Sequence, residues 1–251
     1  MPELPHDLNR TVVIKAKPET VFRFFTDSAR WAAWWGTGSA IDATPGGRIY
    51  IRYPNGVEAS GEVVEVEAPE RIVFTFGYAS GKPMSPGASR VTIRLEAEGA
   101  ATRLHLMHEL AEAEARDTHI GGWRFQLSIF GNVVANEVFA GAERSVDAWF
   151  DAWAIAANQA RETALSVIVT QDVRFCDHYA VLEGLADLNA HAEAVQKFMP
   201  GLRMARKGAV RQCQGVVLAD WEATGMSGVN VFVFNAQGKI GSVTGFTNPS
   251  A

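Results

Sequence analysis

Cysteine is scarce in this sequence. Of 251 residues only two are cysteine, Cys176 and Cys213. Two cysteines cannot build a disulfide framework, and their spacing fits no zinc-binding pattern. We therefore expect two small buried thiols, a reducing cytoplasmic setting and no metal site.

The sequence also lacks a long hydrophobic run and an excess of positive charge. No stretch approaches the roughly 18 apolar residues of a membrane-spanning helix, and the first ten residues carry Pro, Asp and His where a signal peptide is apolar. The chain holds 23 basic and 28 acidic residues, for a formal net charge of -5. Phosphate binding requires a concentrated positive surface. We therefore expect neither a membrane nor a nucleic acid as partner.

Nucleotide-binding and nucleophile motifs are missing as well. There is no Gly-x-Gly-x-x-Gly after a strand, no Walker loop and no Gly-x-Ser-x-Gly elbow. We therefore expect no nucleotide cofactor and no nucleophilic serine. What the chain does have is ordinary globular composition, with 47% hydrophobic and 20% charged residues. That is enough apolar material for packed cores.

The pattern of residues 1–140 is strand, short helix, antiparallel strands and long helix. Thr11–Ala16 alternates like a strand, and Pro18 opens a helix. The long helix is predicted to open near Gly121-Gly122 and is apolar on nearly all faces, so we expect the sheet to enclose it. Short turns separate five further predicted strands: Arg48–Tyr53, Glu58–Glu67, Arg71–Tyr78, Arg90–Ala97 and Thr102–His108.

Residues 10 to about 135 resemble a known family, and the matching segments occur in order. They are Ile14–Phe22, Trp34-Trp35, Gly46-Gly47-Arg48, Gly61-Glu62-Val63, Pro69–Phe74, Val91-Thr92-Ile93, Thr102-Arg103-Leu104 with His108, and Gly122-Trp123. These segments are similar to the START-like (SRPBCC) family related to the activator of the heat-shock-protein-90 ATPase. The resemblance implies a helix-grip fold with a deep cavity for hydrophobic ligands.

A second series of predicted elements begins near Ala140-Gly141, and in it the helices precede most of the strands. Val146, Trp149 and Trp153 lie on a helical stripe, and further helices are predicted at 160–165 and 185–198. Pro200-Gly201 stops the last of these helices. Four strands are predicted: Val169–Phe175, Ala209–Ala223, Gly228–Phe234 and Lys239–Phe246.

Residues 143 to 247 resemble the nuclear-transport-factor-2-like superfamily, especially its SnoaL-like polyketide cyclase members. The resemblance rests on the closing hairpin Val231–Ile240 and on Glu183-Gly184 before a helix. It implies a cone-shaped α+β barrel, a fold that hosts many reactions and many members without one. The predicted fold class is therefore α+β, with a helix-grip domain at 1–140 and a cone-shaped domain at 141–251.

The first predicted pocket has an aromatic wall and few polar groups. Arg48, Arg52 and His108 are the candidates for orienting a ligand. His105 and His108 do not suggest a metal site, because residues three apart on a strand point to opposite faces. The apolar candidates for the lining, which core packing alone also explains, are Trp34, Trp35, Tyr50, Phe74, Phe76, Trp123, Leu127 and Phe130.

The second predicted pocket carries the candidate chemistry. Asp177 and His178 follow a strand, where the resemblance to isomerases implies a carboxylate general base, although Asp also suits a turn. Asp220 is a second candidate, or else an exposed residue paired with an Arg. Asn230 stands where those isomerases place an acid, and an amide can donate a hydrogen bond but supplies no proton. Trp149, Trp153 and Trp221 complete the predicted lining.

Three functions follow from these patterns. The first is binding of a small hydrophobic or aromatic molecule, without a cofactor. The second is cofactor-free isomerase, dehydratase or cyclase chemistry that uses Asp177 or Asp220. The third is contact with a chaperone ATPase through the first domain. A homodimer is expected, because cone-type domains often pair through their sheets.

Overall fold

A computed structural model describes residues 3–248. The chain divides between Ala135 and Asn136 into two compact units. This division falls inside a helix, a few residues before the predicted boundary at 140. Within the described range, no helix is long and apolar enough to cross a bilayer.

The first unit opens with one strand and two short helices: β1 (His6–Ile14), α1 (Pro18–Arg23) and α2 (Ser28–Trp35). Pro18 starts α1 because its fixed φ suits a first helical turn. Asp27 caps α2, since its carboxylate accepts a hydrogen bond from the Arg30 N–H at 2.8 Å. Gly36 ends α2 at a φ of 139°, and a Cβ there would lie 2.3 Å from the Arg52 carbonyl oxygen. Only glycine fits this position.

A meander of strands and one long helix complete the unit. These elements are β2 (Ala40–Ile41), β3 (Arg48–Arg52), β4 (Glu58–Glu67), β5 (Arg71–Phe76), β6 (Ser89–Glu98), β7 (Ala101–Leu110) and α3 (Ala113–Val138). The seven strands form one sheet in the order β1-β7-β6-β5-β4-β3-β2. All neighbours in this sheet are antiparallel. Trp31, Phe25, Phe74 and Phe130 are fully buried at its core.

The long helix differs from the sequence prediction in two ways. It begins at Ala113, eight residues before the predicted start, and Gly121-Gly122 lies inside it. It is also not enclosed on all faces, because Phe125 is 67% exposed. Glycine lowers helix propensity without preventing a helix whose other face is packed, and this explains the misplaced start.

As far as residue 248, the second unit contains three further helices and seven strands. They are α4 (Ala142–Trp153), α5 (Asn158–Ile168), β8 (Val169–Cys176), β9 (Val181–Glu183), α6 (Leu185–Phe198), β10 (Ala205–Arg206), β11 (Arg211–Cys213), β12 (Val216–Ala223), β13 (Met226–Phe234) and β14 (Ile240–Thr247). The sheet order is β10-β12-β13-β14-β8-β9, and β11 pairs with β12. β14 and β8 run parallel. Trp149, Leu165, Leu188 and Phe232 are fully buried.

The predicted continuous strand at 209–223 is wrong. Gln214 and Gly215 both have positive φ, 47° and 79°, and turn the chain so that β11 folds back on β12. Two consecutive residues with positive φ are the hallmark of a tight hairpin turn. The predicted α+β class is nevertheless confirmed, since each of the two units combines helices with one seven-stranded, mostly antiparallel sheet.

Candidate functional sites

The first unit contains an open pocket of about 710 Å³ between α2, α3 and the ends of β3 and β5. This volume suits a small organic ligand. The lining residues are Ala33, Trp34, Trp35, Gly36, Tyr53, Pro54, Asn55, Val57, Phe76, Tyr78, His119, Gly122, Trp123, Phe125, Gln126 and Ile129.

Among residues 3–248, no Asp, Glu, Lys or Arg lines this pocket. Its titratable groups are Tyr53, Tyr78 and His119. Burial raises the pKa of both tyrosines, and burial lowers the pKa of His119 against the smaller opposing effect of its hydrogen bond to Ala115. All three shifts favour the neutral form, so the pocket wall carries no formal charge near neutral pH.

Behind the wall, His108 holds Trp123 in place. The Trp123 indole N–H donates to His108 Nδ1 at 2.9 Å. The other ring nitrogen, Nε2, therefore carries the proton and donates to Ser89 Oγ at 2.8 Å. Ser89 in turn donates to the Phe76 carbonyl. Burial, followed by the proximity of His119, lowers the pKa of His108 to about 3.

The residues predicted for this site fall into three groups. Trp34, Trp35, Phe76 and Trp123 line the pocket. Phe74, Leu127 and Phe130 are buried but outside the lining, as is His108.

Arg48, Tyr50 and Arg52, which were also predicted for this site, do not line this pocket. They alternate along β3 with Ile49 and Ile51, which are fully buried. Because successive side chains of a strand point to opposite faces, these three side chains lie on the outer face of the sheet. The Tyr50 hydroxyl donates instead to Glu58 at 2.7 Å.

Tyr53, Tyr78, His119 and Gln126 also line the pocket, although the sequence did not predict them for this site. The two tyrosines lie just beyond the ends of β3 and β5, in segments predicted as strand ends. His119 lies in the part of α3 that was not predicted to be helical. The spacing of His119, Trp123 and Gln126 by four and three residues is the signal that a longer helix prediction would have used.

The second unit contains a smaller pocket of about 70 Å³. Five of the residues predicted for this unit meet here, namely Trp149, Trp153, Asp177, Trp221 and Asn230. The remaining lining residues are Phe175, Tyr179, Val195, Met199, Leu202, Met204, Met226, Gly245 and Thr247.

The side chains of Asp177 and Asn230 both lie close to Gly245, which has no side chain of its own. A Cβ on Gly245 would lie 3.1 Å from Asn230 Oδ1 and 3.5 Å from the Asp177 Cβ. One carboxylate oxygen of Asp177, Oδ1, accepts the backbone N–H groups of Tyr179 and Ala180, both at 2.8 Å. Asp177 therefore closes a turn and also faces a pocket, so the two interpretations of this residue are compatible.

Two indole N–H groups of the second pocket lack partners. Trp153 and Trp221 are 7% and 5% exposed, and within residues 3–248 neither indole nitrogen has a hydrogen-bond acceptor. A buried donor without an acceptor is costly, so these two indoles are sites of unfavourable free energy in the second unit.

Asp220 and His178 lie outside the second pocket. Asp220 alternates with the buried Ala219 and Trp221, and its carboxylate pairs with Arg211 at 2.9 Å. His178 is exposed and packs edge-on against Tyr179. Both were predicted as catalytic candidates, and strand alternation removes Asp220 from the interior.

Comparison with known proteins supports the first resemblance directly. Residues 15–135 match the model of the family described as Activator of Hsp90 ATPase homolog 1-like protein. This match confirms the resemblance predicted for residues 10–135. No curated protein matches the chain.

Solved structures resemble parts of the chain. A SnoaL-like family protein from Agrobacterium tumefaciens is 22% identical, with a TM-score of 0.40, and covers 42% of this chain and 96% of its own. CalU16 from Micromonospora echinospora is 25% identical, with a TM-score of 0.43, over 52% of this chain and 77% of its own. The Aha1 dimer from Colwellia psychrerythraea is 20% identical, with a TM-score of 0.42, over 49% of this chain and 90% of its own.

Proposed function

We propose that the first unit binds a small, uncharged hydrophobic or aromatic molecule in its open pocket, without a cofactor. The observation that supports this most is the charge-free wall of sixteen residues around about 710 Å³. Aromatic and aliphatic surface supplies most of the binding free energy for such ligands, while a few polar groups orient them. We infer a cytoplasmic setting, which the free thiols of Cys176 and Cys213 support.

The test uses N-phenyl-1-naphthylamine, an uncharged apolar fluorophore, and two matched variants. A Cβ on either Gly121 or Gly122 meets nothing within 4 Å, but only Gly122 lines the pocket. Gly122→Leu should therefore occupy the pocket and weaken probe binding about tenfold, or about 1.4 kcal/mol. Gly121→Leu should leave the affinity unchanged.

Native mass spectrometry of freshly purified protein provides a second readout. The wild type should carry a co-purified small molecule, and Gly122→Leu should carry less of it. If the fluorophore fails to saturate the wild type, or both leucine variants bind it equally, the first pocket is not the binding site.

The second unit supports a second candidate function, proton transfer next to a carbonyl group. Asp177, Asn230, Trp153 and Trp221 line one small pocket. In such a reaction a carboxylate oxygen of Asp177 takes the α-proton, and the C–H electron pair forms an enolate. The Asn230 amide would donate a hydrogen bond to the enolate oxygen, and the proton would return from Asp177. This chemistry serves isomerases, dehydratases and cyclases.

Deuterium exchange into cyclopentanone, followed by proton NMR in D₂O, tests this candidate. The wild type should accelerate loss of the α-proton signal, and Asp177→Asn should remove the acceleration. Asp220→Asn is the matched control, because it makes the same change on the outer face of the sheet. Equal acceleration by both variants, or none by the wild type, would exclude Asp177 as the base for this ketone.

The predictions of a homodimer and of contact with a chaperone ATPase remain proposals. Size-exclusion chromatography with light scattering measures the first, and a monomer would contradict it. No contact or pocket described above favours the second.

A further inference from the structure

The outer face of the first sheet holds a recess of about 600 Å³, here called the outer recess. Most of its lining side chains alternate along β5, β6 and β7 with buried core residues such as Ile72, Ile93 and Leu104. They therefore point away from the core. Among residues 3–248, none lines both the outer recess and the first pocket. The outer recess is lined by Asn9, Arg10, Thr11, Val64, Glu65, Arg71, Val73, Arg90, Thr92, Arg94, His105, Leu106, Met107 and Glu109.

Three basic side chains form one row across the outer recess. In the strand register Arg71 lies directly opposite Arg94, and Arg94 lies directly opposite His105. Residues paired in this way have Cβ atoms about 4.5–5.5 Å apart. Like charges in directly opposite positions destabilise a sheet, so the pair Arg71 and Arg94 is unfavourable by itself.

Both glutamates of the outer recess are already paired with other arginines. Glu65 binds Arg71. Glu109 accepts two hydrogen bonds from Arg90, at 2.7 and 2.6 Å. Arg94 is exposed, and within residues 3–248 its side chain has no hydrogen bond or ion pair. Its guanidinium is therefore left without a counter-charge in the recess.

Two nearby charged residues do not change this balance. Arg10 lines the outer recess but lies opposite the buried Leu106, so its side chain belongs to the inner face of the sheet. Glu96 is on the same face as Arg94 but outside the lining, and its carboxylate lies 3.5 Å from His105 Nε2. On its outer face the recess therefore holds one more arginine than glutamate.

The floor of the outer recess is largely apolar. The row next to the basic one consists of Val73, Thr92 and Met107, which are paired across β5, β6 and β7. Val73 and Thr92 are only 3% and 8% exposed, although they belong to the outer face. They therefore lie at the bottom of a recess, where a flat ring could cover them.

We propose that the outer recess is a second binding site and that it binds a small aromatic monocarboxylate. The carboxylate accepts two parallel hydrogen bonds from the Arg94 guanidinium. It also reduces the repulsion between Arg94 and Arg71. The ring lies on Val73, Thr92 and Met107 and removes their apolar surface from water. This site is separate from the proposed ligand pocket, whose wall carries no charged group.

Isothermal titration calorimetry of the whole chain with 2-naphthoate, at low ionic strength, tests the proposal. We expect saturable binding that Arg94→Gln weakens about tenfold, since the charge-assisted hydrogen bonds are lost. Arg103→Gln is the matched control, because it removes the same charge from β7. Arg103 is paired with Glu98 at 2.7 Å and lies outside the lining. Its variant should keep the wild-type affinity.

Methionine methyl NMR locates the bound ring. The chain has six methionines, and the Met107 signal is the one missing from Met107→Leu. A naphthalene ring on the floor of the outer recess should shift the Met107 signal by its ring current. The shift should be absent in Arg94→Gln at the same concentration of 2-naphthoate.

The outcomes separate this proposal from the function proposed for the first pocket. Gly122→Leu should leave the binding of 2-naphthoate unchanged. If 2-naphthoate does not bind, or if both arginine variants weaken it equally, the outer recess is not a carboxylate site. If Gly122→Leu abolishes binding and the Met107 signal never shifts, the carboxylate enters the first pocket, and the proposal for the outer recess is overturned.

Discussion

The imidazole of His108 accepts a hydrogen bond from Trp123 and donates one to Ser89. These two bonds fix the neutral tautomer that has its hydrogen on Nε2. The folded state keeps the ring neutral down to its pKa of about 3, whereas an unfolded histidine takes up a proton near pH 6.5. Between these values the unfolded state binds more protons. The free energy of unfolding should therefore fall as the pH drops from about 6.5 towards 3.

The first prediction concerns this pH dependence. Lowering the pH from 7 to 5 should cost the wild type about 2 kcal/mol through His108. His108→Gln should not show this decrease of about 2 kcal/mol in the free energy of unfolding. The variant is nevertheless expected to be less stable than the wild type at pH 7. Hydrogen exchange of β7 peptides measures the free energy of unfolding of this unit. His105→Gln, on the same strand but half-exposed, should keep the wild-type dependence. An unchanged slope in His108→Gln would contradict the assignment.

Arg161 is a second buried polar residue, and all its recorded acceptors are uncharged. Its side chain is fully buried. It donates to the Asn189 side chain at 2.7 Å, to the Ile155 carbonyl at 2.8 Å and to the Gln196 side chain at 3.2 Å. A fourth, longer contact reaches the Asn189 carbonyl at 3.4 Å, so one guanidinium joins α5, α6 and the segment just after α4.

The second prediction is that Arg161→Lys destabilises the second unit by about 3 kcal/mol. A lysine ammonium is a single point and cannot reach all four acceptors at once, so buried groups lose their partners. Arg174→Lys is the control, since Arg174 is 75% exposed and its pair with Glu183 is loose at 3.4 Å. Urea unfolding of both variants should show little change for Arg174→Lys. Equal losses would refute the special role of Arg161.

At the scale of elements, the strands were easier to predict than α3. Turn sequences such as Pro-Asn-Gly at 54–56 separate alternating runs, and β4, β5, β6 and β7 lie within two residues of their predicted ends. The start of α3 was missed because Gly121-Gly122 breaks the propensity signal in the middle of the element. One of these two glycines, Gly122, lines the first pocket, so the misplaced helix start affected the prediction of the site as well.

The third prediction follows from these glycines. Gly121→Ala and Gly122→Ala should each stabilise the first unit by about 1 kcal/mol, because alanine has the higher helix propensity and its Cβ meets nothing within 4 Å at either position. Thermal unfolding measures the gain. Destabilisation by either alanine would show that the helix is bent or packed differently at this point.

At the scale of the whole molecule, the order of predicted helices and strands along the sequence was enough to predict two α+β units. This worked because each unit has its own helices and its own sheet. The second site was predicted better than the first. Trp149, Trp153 and Asn230 lie in regular elements whose inward face follows from periodicity. The first site draws on strand ends and on Tyr53 and Tyr78, whose side-chain directions depend on tertiary packing rather than on local pattern.

The fourth prediction concerns the linkage between binding and unfolding. A ligand that binds only the folded first unit stabilises it by about 2.7 kcal/mol at a concentration of 100 times its Kd. Saturating N-phenyl-1-naphthylamine should therefore raise the melting temperature of this unit in scanning calorimetry. Gly122→Leu should show a smaller rise at the same concentration. Saturable binding without any thermal shift would mean that the probe binds the unfolded chain equally well.

The packing of Trp34 against Trp35 also has an optical consequence. The two ring centroids are 4.3 Å apart, with 34° between the planes, and the Trp31 and Trp123 rings lie within 5.7 Å of this pair. Indoles this close share their electronic excitations, so their circular dichroism should contain a paired positive and negative band. A bound ligand that tilts either ring would change these two bands. Circular dichroism would then detect ligand binding without an added fluorophore.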